Sequence, residues 1–553
     1  MSNRLTRRAF MGGLAAGSLL PWWPALGAND AAASQAAFPW GVASGDPDAR
    51  SVVLWTRVAS PRLEARVTWT LADDPAFLSV RARGELRTDV ARDHSAKVVV
   101  EGLDAGRTYY YRFAHDGSES IIGRTRTLPL GAVDRYGLAV VSCSNYPFGH
   151  FNAYDAIAMD DEVDLVLHLG DYLYEYGADE WGSETGAALG RVHAPAHEIL
   201  SLSDYRMRHA QYKAEPNSIL MHAAHPLIAI WDDHESANNP WTGGAQNHQA
   251  DEGAWSERRR DSLQAYYEWM PIRPAADRAR YWRHFRIGDL ASIVSLETRH
   301  TGRAEQIDYL AHLSVDSTAE DIERFRQDVL AAPGRTMLSS EQEAFLAEAL
   351  KEAKTTQRPW RILANQIPMA RVHVPNLRGK EFEPVRSDPE HPVHRRLALM
   401  AALGDADLPI YLDTWDGYPW ARERLYEQCR TAGVQDLLVL TGDSHAFWLN
   451  ALHDAGGAPM GVELGTTGVS SPGDFAAFGA ELSPHLDRLF EAHNREVLWT
   501  DNGPRGWLRV ILTPQAATAD FLGVDRVDGP LYNSFLVRRT TLTRRDGTLE
   551  VDA

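Results

Sequence analysis

The sequence predicts an α/β protein in which a small antiparallel β-sandwich precedes a larger layered α/β domain. Residues 38–130 read as short strands separated by turns, without a helical period. After Leu130, five short apolar runs stop abruptly at polar clusters, and helical segments lie between several of them. A chain of 553 residues can bury a large core, so we expect two folded domains, over residues 38–130 and 135–545.

The first residues have the order of an export signal. Arg7 and Arg8 precede Phe10, a Gly/Ala-rich apolar stretch runs over residues 12–25, and small residues follow at 25–28. This order predicts a twin-arginine signal peptide over residues 1–28, recognition by the twin-arginine translocation machinery, and a periplasmic or secreted protein. A membrane anchor is the alternative, but the run is shorter than the roughly 20 residues of a spanning helix and two prolines interrupt it.

The acidic composition limits the partners of the chain. Its formal net charge is −19, and removal of the predicted signal, which contains arginines and no acid, makes it more negative. Such a chain repels nucleic acid and anionic membrane surfaces at long range, so we expect no dedicated nucleic-acid partner. An anionic ligand needs something locally positive, and bound cations are the obvious candidate. The two cysteines, Cys143 and Cys429, argue against a disulfide framework.

The N-terminal segment has the signals of a sandwich domain. Residues 51–58, 65–71 and 96–100 are strand-like, and a turn around Gly106 precedes a Tyr-rich strand over 108–113. In sandwich domains a tyrosine at this corner hydrogen-bonds back to the backbone. The segment resembles a fibronectin type III module.

Five predicted strands of the second domain end at polar clusters. The apolar runs 138–141, 165–169, 227–231, 361–364 and 437–440 are followed by the clusters 142–145, 170–172, 232–235, 365–366 and 441–445. Ligands of open α/β sheets bind beyond the carboxyl ends of the strands, so we expect these clusters to converge on one site. A helix over 340–354, opened by a capping box of Ser340 and Glu343, lies between two of the strands. Residues 506–514, 519–524 and 534–542 read as edge strands that close this domain.

The clusters supply seven candidate metal ligands of different chemical types: the carboxylates of Asp171, Asp233 and Asp443, the amide oxygen of Asn365, the imidazole of His445, the phenolate of Tyr174 and the thiolate of Cys143. Several acids in one crevice repel each other and are desolvated unless cations neutralise them. A carboxylate shared by two cations makes a two-metal site, with metals roughly 3.5–4 Å apart, that can acidify a bridging water and clamp a phosphoryl group.

These motifs also carry a resemblance. Gly170-Asp171-Tyr172-Leu173-Tyr174, together with the clusters 141–145, 231–235, 365–366 and 442–445, resembles the calcineurin-like metallophosphatase superfamily, and most closely its PhoD branch of alkaline phosphatases. Residues 38–47, 335–338 and 413–418 also look like that branch. The resemblance implies a layered β-sandwich metallophosphatase core with helices outside. It also implies an exported phosphatase that acts on phosphomonoesters and phosphodiesters, with a metal-bound hydroxide as nucleophile.

The resemblance implies a role for each candidate. Cys143 and Tyr174 would ligate Fe³⁺, Asp171 would bridge the metals, and His445 keeps the final histidine of the superfamily. Asp233 stands where the superfamily usually has Asn, and Asn365 and Asp443 stand where it usually has His. This exchange of nitrogen for oxygen favours Ca²⁺ over Zn²⁺ at the second metal, with Zn²⁺ or Mn²⁺ as alternatives. His234 would donate a proton to the leaving alkoxide or orient the phosphoryl group.

Several alternatives remain open at this stage. Asp232 competes with Asp233, and Tyr172 and Tyr176 compete with Tyr174, as ligands. Arg299 could hold phosphate or form an internal ion pair. His168 and Cys429 are expected to be core residues.

Two further functions compete with the leading one. They are a phospholipase-D-like phosphodiesterase for lipid or teichoic-type substrates, and an exported protein that binds metal or phosphate without turnover. A serine nucleophile is disfavoured because the sequence has no Gly-x-Ser-x-Gly elbow.

Overall fold

The computed structural model describes residues 36–314 and 316–552, so the predicted signal over residues 1–28 lies outside the described residues. Within that range, no helix has both the length and the apolar character needed to cross a membrane.

The described residues form 24 strands. They are β1 Val42–Gly45, β2 Ser51–Arg57, β3 Glu64–Ala72, β4 Val80–Asp89, β5 Ser95–Glu101, β6 Thr108–His115, β7 Ser118–Glu119, β8 Gly123–Arg126, β9 Tyr136–Val141, β10 Leu165–His168, β11 Leu227–Ala229, β12 Pro240–Trp241, β13 Gly244–Ala245, β14 Arg283–Ile287, β15 Ala291–Ser295, β16 Trp360–Ala364, β17 Leu437–Thr441, β18 Phe447–His453, β19 Pro459–Gly465, β20 Val497–Asp501, β21 Arg505–Leu512, β22 Ala516–Val524, β23 Ser534–Arg545 and β24 Thr548–Asp552.

The α-helices of the described range lie between these strands. They span Asn152–Ala158, Ser183–Leu189, Leu202–Lys213, Pro216–Ala224, Trp255–Trp269, Ala319–Arg324, Ser340–Thr355, Glu383–Arg386, His394–Asp405, Pro419–Thr431 and Gly479–His493. The predicted capping box is wrong by one residue. Ser339, not Ser340, caps the helix by accepting a hydrogen bond from the Gln342 N–H at 3.2 Å, while Glu343 pairs with Arg424.

Two large sheets pack face to face. The ten-stranded sheet has the order β24-β23-β22-β21-β9-β10-β11-β1-β2-β5, and the seven-stranded sheet has the order β14-β15-β16-β17-β19-β18-β20. The alternation along β17 shows the layers: Leu438 and Leu440 pack between the sheets, whereas Leu437 and Val439 pack in a second core that includes residues of the helices. The predicted layered sandwich with helices outside is confirmed.

The N-terminal strands are continuous with this core. β3, β4, β6, β7 and β8 form a separate antiparallel sheet, but β1, β2 and β5 extend the ten-stranded sheet through the pairing of Gly45 with Leu227. The expected tyrosine corner is present, because the Tyr109 hydroxyl accepts a hydrogen bond from the Asp104 N–H at 2.9 Å. The domain boundary between residues 130 and 135 stays a prediction, and one sheet crosses it.

The strand ends point to one edge of the sandwich. β9, β10 and β11 run parallel in one sheet, and β15, β16 and β17 run parallel in the other. The Gln366 side chain, after β16, donates a hydrogen bond to the carbonyl of Trp231, after β11, at 3.0 Å. The carboxyl ends of both sheets therefore meet, as the sequence predicts. β21 to β24 continue the large sheet beyond β9 to its edge.

Candidate metal centre

Four candidate ligands have left-handed backbone conformations directly after strand ends. The φ angles are 62° at Cys143, 55° at Asp171, 62° at Asp443 and 52° at His445. Such a conformation costs a residue other than glycine about 1–3 kcal/mol and clusters at functional sites. The chain thus turns sharply as each strand ends, and the side chain is presented at the sheet edge.

Two glycines allow the strand ends to approach closely. Gly170 has a φ of 106°, and a Cβ there would lie 2.3 Å from the Cβ of Asp232. A Cβ on Gly442 would lie 2.6 Å from the Ser142 hydroxyl oxygen. Buried Glu235 then joins two of these ends, because its carboxylate accepts hydrogen bonds from the backbone N–H groups of Asp171 and Asp232 at 3.1 and 2.8 Å.

The first group of possible ligands combines sulfur, oxygen and nitrogen. One ligand atom each of Cys143, Asp171 and His445 lies within 4.8 Å of the others. The Tyr174 hydroxyl joins them, at 3.1 Å from Asp171 Oδ2 and 3.2 Å from His445 Nε2. His445 Nδ1 lies 3.1 Å from the carbonyl of Pro472, which leaves Nε2 as the nitrogen that faces this group.

The competing tyrosines lie differently. Tyr172 points its hydroxyl at Ser218 and His222, each at 3.0 Å, and Tyr176 packs its ring on His234. His168 is fully buried and bonds to the Tyr154 hydroxyl at 2.7 Å, as expected of a core residue.

Two more groups of possible ligands continue from the first. Asp171 also groups with Asp233 and His234, and Asp233 groups again with Asp232 and Asp443, each set within 4.8 Å. Asp171 and Asp233 are therefore shared between neighbouring groups. A shared carboxylate is what a site with more than one cation requires.

The carboxylate oxygens in this row lack enough protein partners. Asp171 Oδ1, Asp233 Oδ1 and Asp232 Oδ2 are buried and accept no hydrogen bond from any residue in the described ranges. A buried anionic oxygen without a partner is costly, and hard cations bind such oxygens. The donor set therefore fits metal ions.

The pKa values of three candidate ligands show the same deficit of positive charge, whereas, despite its burial, Asp233 has a pKa that His234 and Arg299 lower. Burial, followed by the charge of Asp233, raises the pKa of Asp171 well above its usual range. Burial, followed by the charge of Asp232, likewise raises the pKa of Asp443 well above its usual range. Burial also raises the pKa of the Cys143 thiol. Cations in this site would reverse these shifts by favouring the charged forms.

Arg299 is an internal counter-ion of the centre. Its Nε donates to Asp232 at 2.5 Å, its Nη1 to Asp413 at 2.7 Å, and its Nη2 lies 3.5 Å from Asp443. The structure shows Arg299 in internal ion pairs, as one of the two alternatives predicted. One of these pairs occupies the Oδ1 oxygen of Asp232. Asp233 lies farther from the guanidinium, at 3.9 Å.

Asn365 follows β16 and is fully buried. Its side-chain N–H donates to the carbonyl of Ile367 at 2.6 Å, and its amide oxygen accepts a hydrogen bond from the Trp415 indole N–H at 3.3 Å. Its grouping with the carboxylates is not established by these contacts, and its ligand role stays a prediction.

Glu175 was missed by sequence reasoning. Its Oε2 lies 2.6 Å from His234 Nδ1, and its Oε1 accepts hydrogen bonds from the backbone of Asn238 and the side chain of Asn247. Burial disfavours a charge on His234, but the carboxylates of Asp233, Glu175 and Asp171 hold the pKa of His234 well above its usual range. Nothing in the sequence pairs Glu175 with a histidine 59 residues away.

Trp181, another residue that the sequence did not single out, borders the centre. Its indole stacks on the His445 ring at 5.7 Å and touches the Tyr174 ring at 5.6 Å, while 37% of the residue is exposed. It forms an aromatic wall over the first ligand group.

Comparisons with known proteins identify the family of the chain. The family model of the PhoD-like phosphatase matches residues 138–521, and that of the PhoD-like phosphatase N-terminal domain matches residues 24–129. "Alkaline phosphatase D" of Bacillus subtilis (strain 168) is 34% identical over 503 residues, which cover 88% of this chain and 77% of that protein. A solved structure of PhoD is 32% identical with a TM-score of 0.77, and the match covers 94% of this chain and 92% of that chain.

The family model alone spans more than half of the sequence, and it contains every candidate ligand. The fold, the row of buried carboxylates and these matches lead to one assignment. The chain belongs to the PhoD-like phosphatase family and is a phosphatase, a hydrolase of phosphate esters.

Proposed function

We propose that this phosphatase is exported and hydrolyses both phosphomonoesters and phosphodiesters at a centre of Fe³⁺ and Ca²⁺. The observation that supports it most is the row of three ligand groups joined by Asp171 and Asp233, with buried carboxylate oxygens that accept no hydrogen bond from the described residues. Export rests on the twin arginines of residues 7 and 8.

The donor types divide between two kinds of cation. Cys143, Tyr174 and His445, with Asp171, would hold Fe³⁺, because thiolate, phenolate and imidazole lie together there. Asp171 would also face the second site, where Asp233, Asp443 and Asn365 offer oxygen and favour Ca²⁺. When bound, such cations activate water and neutralise the phosphoryl oxygens.

His234 supplies the proton for the leaving group in this proposal. Glu175 holds its Nδ1, so Nε2 is the nitrogen that faces the carboxylate row, 3.9 Å from Asp233. Burial disfavours the charge, but the Asp233 and Glu175 carboxylates raise the pKa of His234 well above its usual range. A proton on Nε2 can then pass to the departing alkoxide. A protein that only binds metal has no need of this buried pair, which speaks against the non-catalytic alternative.

Parallel assays with 4-nitrophenyl phosphate and bis(4-nitrophenyl) phosphate test the proposed function. We expect turnover of both substrates and its loss with a chelator, because the carboxylate row cannot bind phosphate without cations. Readdition of Ca²⁺ should restore the part of the activity that Ca²⁺ loss removed. Hydrolysis of the diester alone would favour the phospholipase-D-like alternative. Metal binding without turnover of either substrate would favour the alternative of a protein that binds metal or phosphate without catalysis.

Visible absorption tests the assignment of iron. A thiolate or phenolate bound to Fe³⁺ produces a charge-transfer band, so we expect coloured protein after export from a host with a twin-arginine system. Cys143→Ser and Tyr174→Phe should each shift or remove the band, whereas Cys429→Ser, which alters the buried core cysteine, should leave it unchanged. A colourless, fully active enzyme without iron would refute both ligand roles.

A further inference from the structure

Arg505 is an arginine beside the metal centre that has no carboxylate partner in the parts of the chain that the structure describes. It opens β21, and its Nη1 donates one hydrogen bond, to the carbonyl of Gly503 at 2.9 Å. Its buried Nε has no partner among the described residues, and burial lowers the pKa of the guanidinium. Arg299, by contrast, faces four carboxylates. A half-buried guanidinium whose Nε has neither water nor a counter-ion costs stability, so an anion at this place would be favoured.

The position of Arg505 is fixed relative to the centre by a short chain of contacts. The Thr467 hydroxyl lies 2.8 Å from the carbonyl oxygens of both His445 and Pro504. The N–H of Gly506 donates to the carbonyl of Gly468 at 3.1 Å, and that loop bonds in turn to Ser142. Arg505 therefore flanks the loop that supports the first ligand group.

Arg505 lines a cleft of about 350 Å³, a size typical of small-molecule sites. Arg526 and Phe535 also line it, and 42% of Phe535 is exposed. Arg526 is already paired with Asp528 at 2.6 Å, and the Asp525 carboxylate in the cleft accepts two hydrogen bonds from Asn533, at 2.8 and 2.7 Å. Among the described residues, Arg505 is thus the charged side chain of this cleft that has no carboxylate partner, in a chain of net charge −19.

We propose that this cleft is a second anion subsite, in which Arg505 binds a phosphate or carboxylate that the substrate carries beyond its scissile phosphate. The planar guanidinium matches both anions through paired N–H groups, and Phe535 offers an apolar wall to the linking part of the substrate. The proposal rests on the proposed function, because the scissile phosphate must lie at the metal centre for the cleft to extend it. The preferred substrates are therefore phosphate esters with a second acidic group.

A matched pair of chromogenic diesters tests the subsite. Thymidine 5′-(4-nitrophenyl phosphate) and its 3′-phosphorylated form have the same leaving group and differ only in the second phosphate. We expect the enzyme to prefer the 3′-phosphorylated form by about 10–100-fold in kcat/KM, the range of a hydrogen-bonded charge pair. Arg505→Gln should remove this preference. Arg505→Lys should keep part of it, because lysine keeps the positive charge but lacks the paired N–H groups of the guanidinium.

Arg424→Gln is the matched control, since it removes one positive charge from an exposed helix pair with Glu343 and should keep the full preference. Thermal unfolding checks that the Arg505 variants fold. Equal kcat/KM for the two diesters in the unmodified enzyme, or an unchanged preference in Arg505→Gln, would overturn the subsite. If only monoesters are hydrolysed, the diester part of the proposed function fails. The subsite is then tested by competition of thymidine 3′,5′-bisphosphate and thymidine 5′-monophosphate with 4-nitrophenyl phosphate, with the same preference expected.

Discussion

Asp171→Asn should leave almost no turnover at saturating metal, with a loss of about 10³-fold or more. Asp171 belongs to two of the three ligand groups, so loss of its charge weakens both cation sites at once. Cations at such centres contribute several kcal/mol to stabilising the transition state. We would measure kcat with 4-nitrophenyl phosphate and the metal content of the same sample, and we expect both to fall.

Unfolding of metal-free protein gives a readout that does not depend on activity. Burial and Asp233 raise the pKa of Asp171, so its ionised form costs stability at neutral pH and the cost disappears as the pH falls. Metal-free Asp171→Asn should therefore unfold at a higher temperature than the metal-free unmodified protein, while added metal should stabilise the unmodified protein more. Exposed Asp289, before β15 at the opposite end of the strands, provides the control Asp289→Asn. If Asp171→Asn has full activity and a normal metal content, the assignment of Asp171 as a metal ligand is wrong.

His234→Ala should slow hydrolysis of alkyl phosphates by about 10²–10⁴-fold, the usual contribution of general acid catalysis, or roughly 3–5 kcal/mol of barrier. An alkoxide needs a proton to depart, whereas 4-nitrophenolate leaves as a stable anion, so the loss on the nitrophenyl ester should be much smaller. The variant should keep its metal, because the adjacent carboxylate of Asp233 remains. Both substrates are to be assayed on one metal-loaded sample.

Glu175→Gln separates proton donation from positioning. Glu175 is one of the carboxylates that raise the pKa of His234, so its neutralisation should lower that pKa and move the alkaline limb of the alkyl-ester profile to lower pH.

The His234→Ala variant also has outcomes that would contradict its role as a proton donor. Equal losses on alkyl and nitrophenyl esters in His234→Ala would show instead that His234 positions the phosphoryl group. Loss of metal would make it a ligand, and no loss on either substrate would reduce it to a structural histidine.

The sequence predicted the parts of the centre that depend on local pattern. Apolar runs that end at polar clusters are visible in one dimension, and parallel packing then brings their ends together, as it does for β9, β10, β11, β16 and β17. Pairings between distant segments left no such signal. Arg299 could not be assigned from sequence because its partners, Asp232, Asp413 and Asp443, come from three separate strand ends or loops. The contact of Glu175 with His234 depends likewise on how two loops pack.

Tyr174 could not be separated from Tyr172 and Tyr176 by type or spacing. The left-handed turn at Asp171 decides which hydroxyl returns to the carboxylate, and backbone conformation of this kind has no clear sequence pattern in residues other than glycine. The one-residue error at the Ser339 cap has a similar cause, because adjacent serines offer equivalent caps.

The pairing of β9 with β21 leaves one edge of β9 open until late in biosynthesis. β9 leads to Cys143 and is flanked on one side by β21, where Val140 pairs with Leu508, so its neighbour leaves the ribosome only near the end of translation. Until then, one edge of β9 is unpaired and Arg505 is not yet in place. We therefore expect the first ligand group to be completed late in synthesis or after it, once β21 has paired with β9. A nascent chain stalled before β21 should bind metal more weakly than the complete chain.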